Sequence, residues 1–97
     1  MSPDAFRRSL SDAVPPPGLP PAVEALWWAG KGEWDKAHVL IQDEAGADAA
    51  WVHALLHREE GDDGNAAYWY RRAGRPPATG DLQAEREAIA AALLGRG

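Results

Sequence analysis

Apolar residues at helical spacing, in segments bounded by glycine or proline, constrain the fold of this chain more than any other feature. Within residues 33–44 the apolar side chains fall at i, i+3, i+6 and i+7, on one face of a helix: Trp34, Ala37, Leu40 and Ile41. Comparable stripes occur in four further segments: 22–31, 48–60, 65–73 and 82–94. No segment alternates apolar and polar residues over the length of a strand, so the sequence predicts an all-α fold.

The first 21 residues differ in composition from the rest and are predicted to form a proline-rich N-terminal arm. They hold six of the eight prolines. Proline fixes φ and has no N–H to donate, so the stretch PPPGLPP favours an extended conformation. Residues 4–10 are compatible with a short helical turn that carries Phe6 and Leu10 on one face. Residues 22–97 are then expected to form one helical domain, because the chain is too short for two cores.

Charge and composition exclude several classes of function. The net charge of -5 argues against a nucleic-acid binder or a binder of anionic membranes, which need basic surfaces. The absence of cysteine removes disulfides, thiolate metal ligands and cysteine nucleophiles. No apolar run approaches the roughly 20 residues that span a bilayer, and the N-terminus shows no secretory signal. We therefore expect a soluble cytoplasmic protein with no nucleic-acid or membrane partner.

Two glycine-led acidic turns indicate an internal repeat. Aligning Gly32 with Gly61 places Ala37 on Ala66, at an offset of 29 residues. The segments GEWDKAHVLI and GDDGNAAYWYRRA resemble the turn and second helix of a tetratricopeptide-type helical hairpin. The whole chain also resembles short bacterial proteins that carry ALWW, KGEWDKAH and YWYRRAG, a resemblance that implies no activity.

The tetratricopeptide resemblance covers about residues 22–77 and implies a specific architecture. It comprises two antiparallel helical hairpins, 22–44 and 48–74. The apolar stripe of the last segment adds a C-terminal capping helix, 81–95, outside the range of the resemblance. About three such repeats are usually needed to close a core. The arm, the last helix or a second subunit is therefore expected to cover the open face, and a homodimer is a possible assembly.

Three histidines form a candidate metal site. His53 and His57 are four residues apart on one helix face, a spacing that a divalent metal can bridge, and His38 joins them if the neighbouring helices pack. The H-E-x-x-H motif of zinc metalloproteases is absent because Ala54 follows His53, so only a non-catalytic site is compatible. The alternative is that these imidazoles hydrogen-bond to carbonyls or to carboxylates such as Glu60 or Asp35. We favour that alternative, and we predict no cofactor.

Aromatic residues are abundant enough to suggest a partner surface. Five tryptophans and two tyrosines fall within residues 27–70. They are either large side chains recruited to fill a small core or, in part, outward-facing rings. The arginines near residue 72 either offset the dipole at a helix C-terminus or bind carboxylates. The candidate partner-binding residues are Trp28, Tyr68, Trp69, Arg71, Arg72 and Arg75.

These observations favour a small helical protein-interaction module over an enzyme. The sequence has no G-x-S-x-G and no phosphate-binding loop, and its serines all lie in the arm. The expected partner is a protein, a peptide or a second copy of the chain, because Trp, Tyr and Arg are enriched at interfaces. The alternative function is non-catalytic binding of a metal or small ligand by the histidines.

Overall fold

The computed structural model describes residues 1–95, and that range is all-helical. It contains six helices and no strand: α1 (Pro3–Ser9), α2 (Pro21–Gly30), α3 (Trp34–Ile41), α4 (Ala47–Glu59), α5 (Asp63–Ala73) and α6 (Leu82–Leu94). The prediction of an all-α fold is thus confirmed for these residues. None of these helices has the length and apolar character that crossing a membrane requires.

The helix ends follow from local sequence chemistry. Pro21 is the first residue of α2, where a missing N–H costs nothing. Asp62 caps α5 by accepting a hydrogen bond from the backbone N–H of Asn65 at 3.2 Å. Gly74 ends α5 in the left-handed conformation, at φ 70°. The predicted ends of α3, α4 and α5 differ from the observed ones by at most three residues, and the C-terminal end of α5 coincides.

Helix α4 occupies the centre of the fold. It packs against α2, α3, α5 and α6, and its buried positions lie on more than one face. Leu55 and Leu56 are fully buried in the main core with Trp27 of α2. Ala54 and Ala66 are buried between α4 and α5, because small side chains let two helices approach closely. Both sides of α4 are therefore buried against other helices.

The N-terminal residues contribute directly to the core. Phe6 of α1 is only 5 % exposed. The Trp27 indole N–H donates to the Ser9 hydroxyl at 3.1 Å, and the Lys31 ammonium donates to the Leu10 carbonyl at 2.8 Å. The sequence predicts a short helical turn at residues 4–10, and α1 forms there. The burial of Phe6 is not predicted, because so short a segment gives little periodic signal.

Helix α6 is tied to α4 and α5 through one buried carboxylate. Glu85 accepts a hydrogen bond from the Tyr70 hydroxyl and another from the Arg58 guanidinium, the latter at 2.6 Å. Burial, followed by the hydrogen bond to Glu85, raises the pKa of Tyr70 above its ordinary value of 10.0. The two bonds join three helices at one point, away from the histidines described next.

Candidate functional site

The three histidines of the chain converge between α3 and α4. His38 comes from α3, and His53 and His57 come from successive turns of α4. The Nε2 atoms of His38 and His53 are 3.1 Å apart. One ring nitrogen from each of the three residues lies within 4.8 Å of the other two. The structure thus brings together the histidines that the sequence grouped by spacing and by expected helix packing.

Trp34 holds His38 in place. Its indole N–H donates to the Leu56 carbonyl at 2.6 Å, which fixes α3 against α4. The Trp34 ring stacks on His38 with 4.7 Å between centroids and 10° between planes. The two residues are four apart in sequence, so their side chains share a helix face. That spacing was available in the sequence, but the functional interpretation of the histidines overlooked Trp34.

His53 is the buried member of the cluster, at 5 % exposure. One side of its ring stacks on Trp69 of α5, with 3.9 Å between centroids and 12° between planes. His57 stacks on it at 4.9 Å and 19°. His53 therefore lies between an aromatic wall and the other two imidazoles, which restricts its rotation.

Burial keeps the inner imidazoles neutral. Desolvation, with further repulsion from His38 and His57, lowers the pKa of His53 to about 4. Desolvation, followed by repulsion from His57, also lowers the pKa of His38. At neutral pH each ring therefore offers an unprotonated nitrogen, and the short contact between Nε2 atoms can hold a single hydrogen.

Carboxylates lie on the outer side of His57. The His57 Nδ1 is 2.6 Å from a Glu60 oxygen, which confirms the hydrogen-bond partner that the sequence suggested. Asp62 adds a second acidic group, so that ligand atoms of His57, Glu60 and Asp62 also lie within 4.8 Å of one another. Asp62 already caps α5, and the hydrogen bonds from Asn65 lower its pKa. His57 thus belongs to two clusters: the three histidines, and a mixed group of His57, Glu60 and Asp62.

A second candidate surface lies on α5, next to the histidines. Tyr68 is 42 % exposed, and the Arg72 guanidinium donates to its hydroxyl at 3.1 Å. The same guanidinium lies over both aromatic rings, 5.8 Å from the Tyr68 centroid and 5.4 Å from the Trp69 centroid. The two rings meet edge to face at 5.2 Å. We call these three residues the aromatic–arginine surface.

The other predicted partner-binding residues have different neighbours. Trp28 is a half-buried residue of α2; it donates to Glu24 at 3.3 Å and lies 4.4 Å below the Lys36 ammonium. The Arg75 guanidinium stacks on Trp51 at 3.8 Å. Arg71 is exposed on α5. The six residues that the sequence grouped therefore do not all belong to the aromatic–arginine surface.

Comparison of the chain with protein-family models, with curated proteins and with solved structures finds no match. The geometry and chemistry of the two candidate sites therefore carry the functional argument.

Proposed function

We propose that this chain is a small helical interaction module that binds a protein or peptide through its aromatic–arginine surface. The observation that carries the proposal is the position of Arg72, which lies over Tyr68 and Trp69 and bonds to the Tyr68 hydroxyl. Trp, Tyr and Arg are the residue types that dominate binding energy at interfaces. Here they are held together before a partner arrives, which reduces the entropy lost on binding.

The helix packing is compatible with a tetratricopeptide-like scaffold for this surface. Within the proposed scaffold, α2 pairs with α3 and α4 pairs with α5, as antiparallel hairpins. Ala37 and Ala66, equivalent in the internal repeat, are 0 % and 2 % exposed. Small buried residues at equivalent positions are what two repeated hairpins need for close packing. Such scaffolds present side chains to a partner without a catalytic centre, and we assign no catalytic role.

The arginines at and near this surface favour an acidic partner. The chain carries a net charge of -5, yet the ion pairs found among residues 1–95 include none of the arginines near the end of α5: Arg71, Arg72 and Arg75. A guanidinium binds a carboxylate through two parallel hydrogen bonds. We therefore propose a peptide segment with Asp or Glu next to an apolar side chain, so that the carboxylate meets Arg72 and the apolar group meets Trp69.

Selection of peptides on the immobilised full-length protein tests this function. We expect selected peptides to be enriched in Asp and Glu, and Arg72→Ala to weaken their binding by about tenfold or more, as for an interface residue of central importance. Arg8→Ala is the matched control, because Arg8 is an exposed arginine on α1. Circular dichroism verifies that both variants fold.

Two results would contradict the proposal. The first is a set of selected peptides without acidic residues. The second is an affinity that Arg72→Ala leaves unchanged. Light scattering on the same samples tests whether the partner is a second copy of the chain. A wild-type dimer that becomes a monomer in Arg72→Ala would identify that copy as the partner.

A further inference from the structure

The spacing of the histidine nitrogens is close to that of a metal site. Zinc binds imidazole nitrogen at about 2.0–2.1 Å, so two nitrogens of a tetrahedral site are roughly 3.3 Å apart. The His38 and His53 Nε2 atoms are 3.1 Å apart. The widest of the three separations is at most 4.8 Å and would shorten by about 1.5 Å on binding. Rotation of the half-buried His57 can supply that change.

Stacking on tryptophans restricts the orientation of two of the three rings. Stacking on Trp34 fixes the ring plane of His38, and stacking on Trp69 fixes that of His53. The contact between His57 Nδ1 and Glu60 leaves the Nε2 atom of His57 as the nitrogen available to an ion. A carboxylate on the outer nitrogen of a metal-binding histidine is a common supporting arrangement, which fixes the tautomer and raises ligand basicity.

The hydrogen bond between His38 and His53 does not explain why His57 lies beside them. The contact between His38 and His53 is satisfied by one shared hydrogen. His57 adds no second hydrogen bond to that pair, yet it stacks on His53 and brings a ring nitrogen within 4.8 Å of the ligand nitrogens of both. Three imidazoles at one point repel one another when protonated and are stabilised when they share one divalent ion.

The donor set selects the class of ion. Three neutral imidazoles suit zinc, copper, nickel and cobalt, whereas magnesium and calcium prefer oxygen ligands. The chain has no cysteine, so thiolate ligation is excluded. His38 and His57 are half-buried, which leaves a route for an ion and room for water as a fourth ligand.

We infer that His38, His53 and His57 bind one divalent transition-metal ion, with Zn²⁺ as the probe, and that the ion links α3 to α4. This inference does not rest on the proposed partner function, although Trp69 contacts both sites. The mixed group of His57, Glu60 and Asp62 is the competing position for the same ion.

Calorimetric titration of the chelator-treated full-length protein with Zn²⁺ tests the inference. We expect one ion per chain and a rise in melting temperature with added zinc. His57→Gln removes one ligand at a half-buried position, and should lower the affinity by at least about tenfold and reduce the thermal shift. Glu60→Gln keeps all three imidazoles and should lower the affinity by about 10- to 100-fold, as the loss of a supporting carboxylate does.

Asp62→Asn is the matched control for the position of the ion. Asparagine also caps a helix, so α5 is preserved. We expect this variant to bind Zn²⁺ with unchanged affinity, whereas His38→Gln should weaken binding. Strong loss in Asp62→Asn with no change in His38→Gln would place the ion in the mixed group and overturn the inference. Absence of binding by the folded wild-type protein at millimolar zinc would overturn it as well.

Discussion

Replacing Tyr70 with phenylalanine tests whether one buried hydroxyl joins α5 to α6. Tyr70 is 2 % exposed, and its hydroxyl donates to Glu85, which also accepts from Arg58 of α4. Tyr70→Phe keeps the ring and therefore creates no large cavity. It removes a hydrogen bond to a charged group, which contributes about 1.5–3 kcal/mol. We expect the free energy of unfolding to fall by that amount, a large part of the roughly 5–15 kcal/mol typical of such domains.

Urea titration followed by far-ultraviolet circular dichroism measures this change, with Tyr68→Phe as the matched control. Tyr68 is 42 % exposed and its hydroxyl accepts from Arg72 at the surface. Its replacement should change the free energy of unfolding by no more than about 0.5 kcal/mol. Equal effects of the two substitutions would refute the reasoning, because burial is what distinguishes the two hydroxyls.

Comparison of the wild-type protein with Tyr70→Phe also tests how stability changes with pH. Burial raises the pKa of Tyr70 in the folded state above 10.0. The unfolded chain therefore loses this proton first, and the stability contributed by Tyr70 is complete below pH 10 and decreases as pH rises further. The wild-type protein should lose stability above pH 10 more steeply than Tyr70→Phe. Parallel alkaline profiles for the two proteins would contradict this assignment.

Two further substitutions test the packing that positions the candidate sites. Leu55→Ala should reduce the free energy of unfolding by about 2–5 kcal/mol in chemical denaturation, since Leu55 is fully buried. Val39→Ala is the control and should have little effect, because Val39 is 64 % exposed. Similar losses at both positions would be incompatible with this core. Ser9→Ala should cost about 1–3 kcal/mol in thermal unfolding, because the buried indole N–H of Trp27 loses its acceptor. An unchanged melting temperature would show that this hydrogen bond does not stabilise the fold.

The sequence was informative wherever a periodic apolar stripe coincided with a helix. Residues 48–60 carry such a stripe, and α4 forms there within one residue of the predicted ends. The role of α1 could not be read in the same way. Phe6 is one apolar residue in a proline-rich segment, and its burial depends on a groove that α2 and α6 create only after folding. Local spacing identifies helices, whereas tertiary packing decides which isolated side chains enter the core.

The same distinction applies to the candidate sites. The spacing of His53 and His57 indicated a shared helix face, but the approach of His38 required the packing of α3 on α4. The arginines at and after the end of α5 were grouped by position in sequence, and the structure separates Arg72, on Tyr68 and Trp69, from Arg75, on Trp51. Arg75 follows Arg72 by three residues, a spacing that shares a face within a helix. Gly74 lies between them in the left-handed conformation and ends α5, so Arg75 leaves the direction of the helix.

Trp69 is the residue that connects the two proposals. One face of its ring stacks on His53, and the Arg72 guanidinium lies over the same side chain. Substitution of Trp69 would disturb both sites and cannot separate them, whereas His57→Gln and Arg72→Ala each change one. If zinc at the histidines alters peptide affinity through this ring, the peptide must alter zinc affinity by the same factor, because coupling between two binding sites is reciprocal. Titrating each ligand in the presence of the other therefore measures whether Trp69 transmits binding or only separates two independent sites.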